Sequence, residues 1–150
     1  MNLFQLAAAV ALSLSMLLSA PALAAPADEV ANFVVTPALL KKLENAERES
    51  KLLKRDNDDE DDDSDSGEQT VESAIKKLER DPRARALLAK HGISSREMVL
   101  ASFAMLHAGF YVMMEKSMDK QKAAQAYNGY TKAQKANIVL MRTYAAKDKK

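Results

Sequence analysis

A stretch of 17 residues, at positions 98–114, constrains the fold of this chain more than any other feature. As a helix it would be apolar on every side except at Ser102, His107 and Gly109. A helix that is apolar all round has to be surrounded by other elements. Because a membrane span needs about 20 apolar residues, an interrupted stretch of this length favours the buried central helix of a globular bundle.

The start of this helix and the bounds of the others carry recognisable signals. Ser94 and Glu97 have the spacing of a capping box, and Ile93 and Met98 are placed as a hydrophobic staple. Further signals are the starts Thr36-Pro37, Asp81-Pro82 and Thr131-Lys132-Ala133-Gln134, and the ends Gly92 and Asn128-Gly129. Apolar residues recur at helical spacing between them, as at Leu39, Leu43, Ala46 and Leu53, and at Val71, Ala74, Ile75 and Leu78. We therefore expect an all-α fold, a compact bundle of about five helices around one apolar central helix.

Charge is unevenly distributed along the chain, although the net charge is only +1. Residues 56–72 contain ten acidic and no basic residues, whereas residues 73–150 contain sixteen basic and six acidic residues, a net +10. A run of like charges cannot bury apolar surface, which predicts a disordered acidic loop over residues 56–69. The loop is either a solubilising linker or a loose, salt-sensitive cover on the basic part. The basic C-terminal part favours binding to anionic polymers or an envelope surface, but no pattern indicates a specific nucleic acid.

The acidic stretch also contains four candidate metal ligands, Asp61, Asp63, Asp65 and Glu72. They fall at positions 1, 3, 5 and 12 of an EF-hand frame. Position 6 is Ser66, however, where the tight turn needs glycine, and position 8 is Glu68, where an apolar residue belongs. The spacing therefore predicts weak, unspecific calcium binding and not an EF-hand.

The N-terminal residues 1–24 have the pattern of a secretory signal peptide. An apolar run ends before Pro21, and Ala22 and Ala24 supply the small residues that signal peptidase reads, with cleavage expected between Ala24 and Ala25. The run departs from the usual pattern because no Lys or Arg precedes it. We expect an exported protein of the periplasm or the medium, a single helical domain over residues 25–150, which is not an integral membrane protein after cleavage.

The residue inventory excludes several chemistries. The chain has no cysteine, which removes disulfides, thiolate metal sites and a cysteine nucleophile, and its four glycines form no phosphate-binding loop. His91 falls at a helix end and His107 within the apolar stretch, where a core position is expected. Clustered methionines either bind Cu(I) or fill gaps in an apolar core. We expect core filling for the four in this region, Met105, Met113, Met114 and Met118. We expect no catalytic residue and no cofactor.

Three local patterns resemble small uncharacterised secreted helical proteins of bacteria: Val35-Thr36-Pro37, Gly92-Ile93-Ser94-Ser95-Arg96-Glu97 and Lys135-Ala136-Asn137-Ile138. That resemblance brings no established activity. Tyr130-Thr131-Lys132-Ala133-Gln134 is also similar to a Leu-Thr-x-x-Gln motif of small periplasmic stress chaperones. The expected function is a non-catalytic binding or envelope accessory protein. The alternatives are a periplasmic chaperone or stress protein, and weak binding of calcium or another metal.

Overall fold

The computed structural model describes residues 27–52 and 70–147. Seven helices and no strand lie within these ranges: α1 Ala27–Asn32, α2 Pro37–Leu52, α3 Val71–Arg80, α4 Pro82–Lys90, α5 Ser95–Met114, α6 Lys120–Gly129 and α7 Lys132–Lys147. The predicted all-α bundle around one apolar central helix is confirmed, with seven helices in place of about five. The predicted signal peptide, the acidic loop and Leu53 lie outside the described residues.

The helix starts follow the capping residues closely. Ser94 Oγ accepts a hydrogen bond from the Glu97 N–H at 3.1 Å, and Glu97 Oε2 accepts one from the Ser94 N–H at 2.9 Å. These two bonds are the predicted capping box of α5. Thr131 and Gln134 make the same reciprocal pair at the start of α7, with distances of 3.1 and 2.9 Å. Helix α3 begins at Val71, as the apolar spacing predicts. Its N-terminus has a capping box formed by Thr70 and Ser73, which the sequence pattern did not indicate.

The cap of α5 predicts a contribution to stability that depends on pH. Hydrogen bonds from the backbone and side chain of Ser94 hold the pKa of Glu97 below its ordinary value of 4.5. A carboxylate at a helix N-terminus contributes about 0.5 kcal/mol. At pH 7 we therefore expect Glu97→Gln to unfold more easily than the wild type by that amount. Because the folded-state pKa is lowered, the difference is complete above pH 4.5 and disappears as the pH falls through the lower value.

Urea titrations of both proteins at several pH values measure this difference directly. A difference that stays constant on acidification would contradict the role of the Glu97 charge.

Helix α5 is packed on three sides by the rest of the bundle. On one side Ala108, Tyr111 and Val112 pack with Ile138 and Met141 of α7. On the other two sides, Ala101 and Ala104 pack with Val35 and Leu40, and Val99, Leu100 and Phe103 pack with Val71 of α3. Small residues at positions 101, 104 and 108 let the neighbouring elements approach the axis of α5 closely.

One side of α5 is covered only along its first half, which corrects the expectation of a fully surrounded helix. Leu106, Phe110 and Met113 are 51, 59 and 47% exposed. They continue a row of residues spaced by three and four that begins with Val99 and Phe103, so all five lie on one face. Helix α3 and its neighbours cover the first two positions of this row. No described element covers the last three.

A buried asparagine ties the segment before α2 to the last helix. Asn137 is 1% exposed. Its Oδ1 accepts a hydrogen bond from the Val35 N–H at 2.9 Å, and its Nδ2 donates to the Phe33 carbonyl at 2.8 Å. Six residues earlier on the chain, the Thr131 hydroxyl donates to the Ala31 carbonyl. These bonds join residues about 100 positions apart, so no local sequence pattern indicates them.

Candidate functional site

The uncovered row on α5 is the most distinctive surface of the described residues. We call Leu106, Phe110 and Met113 the α5 stripe; Met114, beside it, is 36% exposed. The stripe is held on a rigid support, because α7 packs closely against its flank. A Cβ at Gly109 would lie only 3.3 Å from Met141 Cε, which shows how near α7 comes to the α5 backbone. The three side chains therefore form an exposed apolar row on a helix that is closely packed at its flank.

The part of the molecule that carries the stripe is basic. Residues 105–147 contain seven basic and two acidic residues, a net charge of +5. Both acids already have cationic partners: Glu115 binds Arg142 and Asp119 binds Lys122. Lys116 lies one turn beyond Met113 and, like Lys120, is exposed and forms no ion pair with a carboxylate of the described residues. The apolar row is thus accompanied by uncompensated positive charge.

A shallow depression of about 380 Å³ lies where α5, α6 and α7 meet. At its wall Arg142 holds Glu115 with two hydrogen bonds of 3.2 and 2.5 Å, which raise the pKa of Arg142. The guanidinium also lies 5.2 Å from the ring centre of Tyr127 and 5.8 Å from that of Tyr111. Because the acid and both rings engage this cation, the cluster acts as a brace between α5 and α7. Its members come from three separate parts of the sequence, at positions 111–115, 127 and 142, so no local pattern indicates it.

The two histidines contact partners within the fold. His107 is half-buried with its ring 4.9 Å from that of Tyr130, edge to face, and burial lowers its pKa. At the end of α4, His91 Nε2 lies 3.0 Å from Glu49 Oε2, while Lys90 Nζ lies 2.5 Å from Glu49 Oε1. The hydrogen bond from Lys90, followed by that from His91, lowers the pKa of Glu49. These contacts join α2 to α4 and stabilise the bundle.

Of the candidate metal ligands, only Glu72 belongs to the described part of the chain; Asp61, Asp63 and Asp65 lie outside it. Glu72 is in the first turn of α3, where its Oε1 lies 3.6 Å from Arg96 Nη2. Within residues 27–52 and 70–147, no group of three or more His, Cys, Asp or Glu side chains is arranged to hold a metal ion.

The methionines of α5 occupy different environments from those expected. The prediction that these methionines fill the core is confirmed for Met105, which packs against two core clusters. It is wrong for Met113 and Met114, which are exposed, because no described helix lies over the end of that face. The sequence shows α5 as a helix that is apolar on every side. Its pattern therefore does not distinguish the residues that are exposed from those that are buried.

No protein-family model, curated protein or solved structure matches this chain. By length and composition α5 would suffice to cross a membrane, yet 44% of its most apolar window is buried inside the protein. Inferences about function therefore depend on the chemistry of the described surfaces.

Proposed function

We propose that this chain is an exported, non-catalytic binding protein of the bacterial cell envelope that binds its partner through the α5 stripe. The observation that carries the proposal is the exposure of Leu106, Phe110 and Met113 on the best-packed helix of the bundle. Single exposed apolar residues are ordinary, but a contiguous apolar row is characteristic of a binding surface. The neighbouring helices bury the rest of α5, including the beginning of this face, so the open segment is a specific feature of this packing.

The absence of a catalytic role is supported by the positions of the reactive side chains. Glu97 is part of a helix cap, and His91 pairs with Glu49. The Tyr111 hydroxyl donates a hydrogen bond to the Ala123 carbonyl at 2.9 Å, and burial raises its pKa. Each of these groups already has a hydrogen-bonding partner within the fold.

Export is supported by the signal-peptide pattern of residues 1–24. The expected destination is the periplasm or the medium. Mass spectrometry of the protein from the exported fraction should give an N-terminus at Ala25. Recovery of the chain from the membrane fraction with Met1 intact would contradict export.

The α5 stripe supports the alternative that the protein is a chaperone, but the resemblance to the Leu-Thr-x-x-Gln motif does not. A chaperone of non-native chains would also need an exposed apolar surface. The Thr131-x-x-Gln134 pattern, however, is used for the capping box of α7, where both of its reciprocal hydrogen bonds form. The motif therefore has a structural explanation in this chain. Weak calcium binding by the acidic residues is a separate alternative, which calcium titration of the exported protein would test.

The binding role is tested with an anilinonaphthalene dye, whose fluorescence rises on exposed apolar surface. We expect the folded protein to bind the dye and Phe110→Ser to reduce the signal. Val139→Ser is the matched control, because Val139 is 52% exposed on α7 and lies outside the stripe. Both variants put serine into a helix, so their propensity costs are similar. Equal dye binding by the two variants, or none by the native protein, would contradict the proposal.

A further inference from the structure

We infer that the partner of the α5 stripe is an anionic lipid bilayer, on whose surface α5 lies with the stripe among the headgroups and upper acyl chains. The inference rests on the proposed binding role and specifies its target. It joins two independent observations: an uncovered apolar row and the positive charge of the half-molecule that carries it. An interfacial helix requires both an apolar face and basic residues beside it.

The dimensions and composition of the stripe suit an interfacial position. Leu106 and Met113 are seven residues apart, which is about 10 Å along a helix. Leucine, phenylalanine and methionine side chains reach the boundary between headgroups and acyl chains, where an aromatic ring is well accommodated. The rest of α5 remains packed on the bundle, so binding requires no unfolding.

The charge distribution favours a negatively charged surface. Residues 105–147 carry a net +5, whereas the other described residues, 27–52 and 70–104, carry a net +2. Lys116 and Lys120 are exposed shortly after α5 in the chain, at the depression between α5, α6 and α7, and the acids Glu115 and Asp119 are paired with Arg142 and Lys122. Juxtamembrane cations of this kind are attracted to anionic leaflets, and the attraction weakens with salt.

Two other occupants fit these observations less well. Two copies meeting through their stripes would bring together two segments that each carry a net charge of +5. Three half-exposed side chains also offer far less area than the ~800 Å² per partner of a typical stable interface. The acidic residues 56–69 of the same chain contain no apolar side chain that could replace water on the stripe.

The test is sedimentation of the exported protein with vesicles of phosphatidylglycerol and phosphatidylcholine, compared with phosphatidylcholine alone. We expect binding to the mixed vesicles only, and weaker binding at physiological salt than at low salt. Phe110→Ser should weaken binding about tenfold, the loss expected for one partly buried aromatic side chain. Lys116→Glu with Lys120→Glu should weaken it by a similar factor and reduce its salt dependence. Val139→Ser should bind like the wild type.

Equal binding to both kinds of vesicle, or binding that Phe110→Ser leaves unchanged, would overturn the lipid assignment. Failure to bind vesicles while the stripe still binds dye would overturn it too, and would leave the proposed binding role standing. Dimers abolished by Phe110→Ser would assign the stripe to a second copy. Heparin binding that no stripe variant alters would assign the basic part to a polyanion. Melting curves establish that each variant is folded; if Phe110→Ser is not, Met113→Ser replaces it.

Discussion

Replacing Asn137 with alanine is expected to destabilise the fold by about 3 kcal/mol, a large part of the stability of a small domain. The change removes both side-chain hydrogen bonds and leaves the Val35 N–H without a partner in a buried position. The Phe33 carbonyl loses its donor as well. Because these bonds hold the segment between α1 and α2 on α7, the loss affects both ends of the described chain. Urea unfolding followed by circular dichroism measures the change.

Asn128→Ala provides the matched control, since Asn128 is exposed on α6. A loss of less than about 0.5 kcal/mol is expected there. If the two asparagine variants were equally stable, the buried connection between residues 33–35 and α7 would be wrong.

Leu40→Ala is expected to cost about 3 kcal/mol, through lost burial and the cavity left behind. Leu40 is only 1% exposed and belongs to the cluster that covers Ala101 and Ala104 of α5. Leu52, on the same helix, is 78% exposed, so Leu52→Ala is expected to change the free energy of unfolding by less than about 0.5 kcal/mol.

The pair compares a buried with an exposed position, because the substitution and the helix are the same. Equal losses would mean that α2 does not pack on α5 through Leu40.

The helices could be predicted from sequence where local chemistry determines them. Ser94 with Glu97 and Thr131 with Gln134 satisfy the first N–H groups of their helices, and these patterns depend only on nearby residues. Gly92 ends the preceding turn with a φ of 62°, which glycine adopts without strain. Helix α1 was not predicted, because six residues without a capping pattern give too little periodic signal.

Longer-range features could not be predicted in the same way. In the sequence, Asn137 is one polar residue within a predicted helix. Its hydrogen bonds are to backbone groups more than 100 residues away, which no local pattern can indicate. The exposure of Phe110 depends on where α3 stops covering α5. A helix that is apolar all round has no polar face to mark its open side, so sequence periodicity could not locate the stripe.

The central claim is that one face of α5 remains open in the folded protein, and single cysteine variants test it directly. The native chain contains no cysteine, so each variant has one reactive thiol. Phe110→Cys should react with a thiol reagent under native conditions at nearly the rate of the unfolded protein. Ala108→Cys, whose position is fully buried against α7, should be strongly protected. Equal protection of both thiols in the folded protein would contradict the open face, and with it the proposed binding surface.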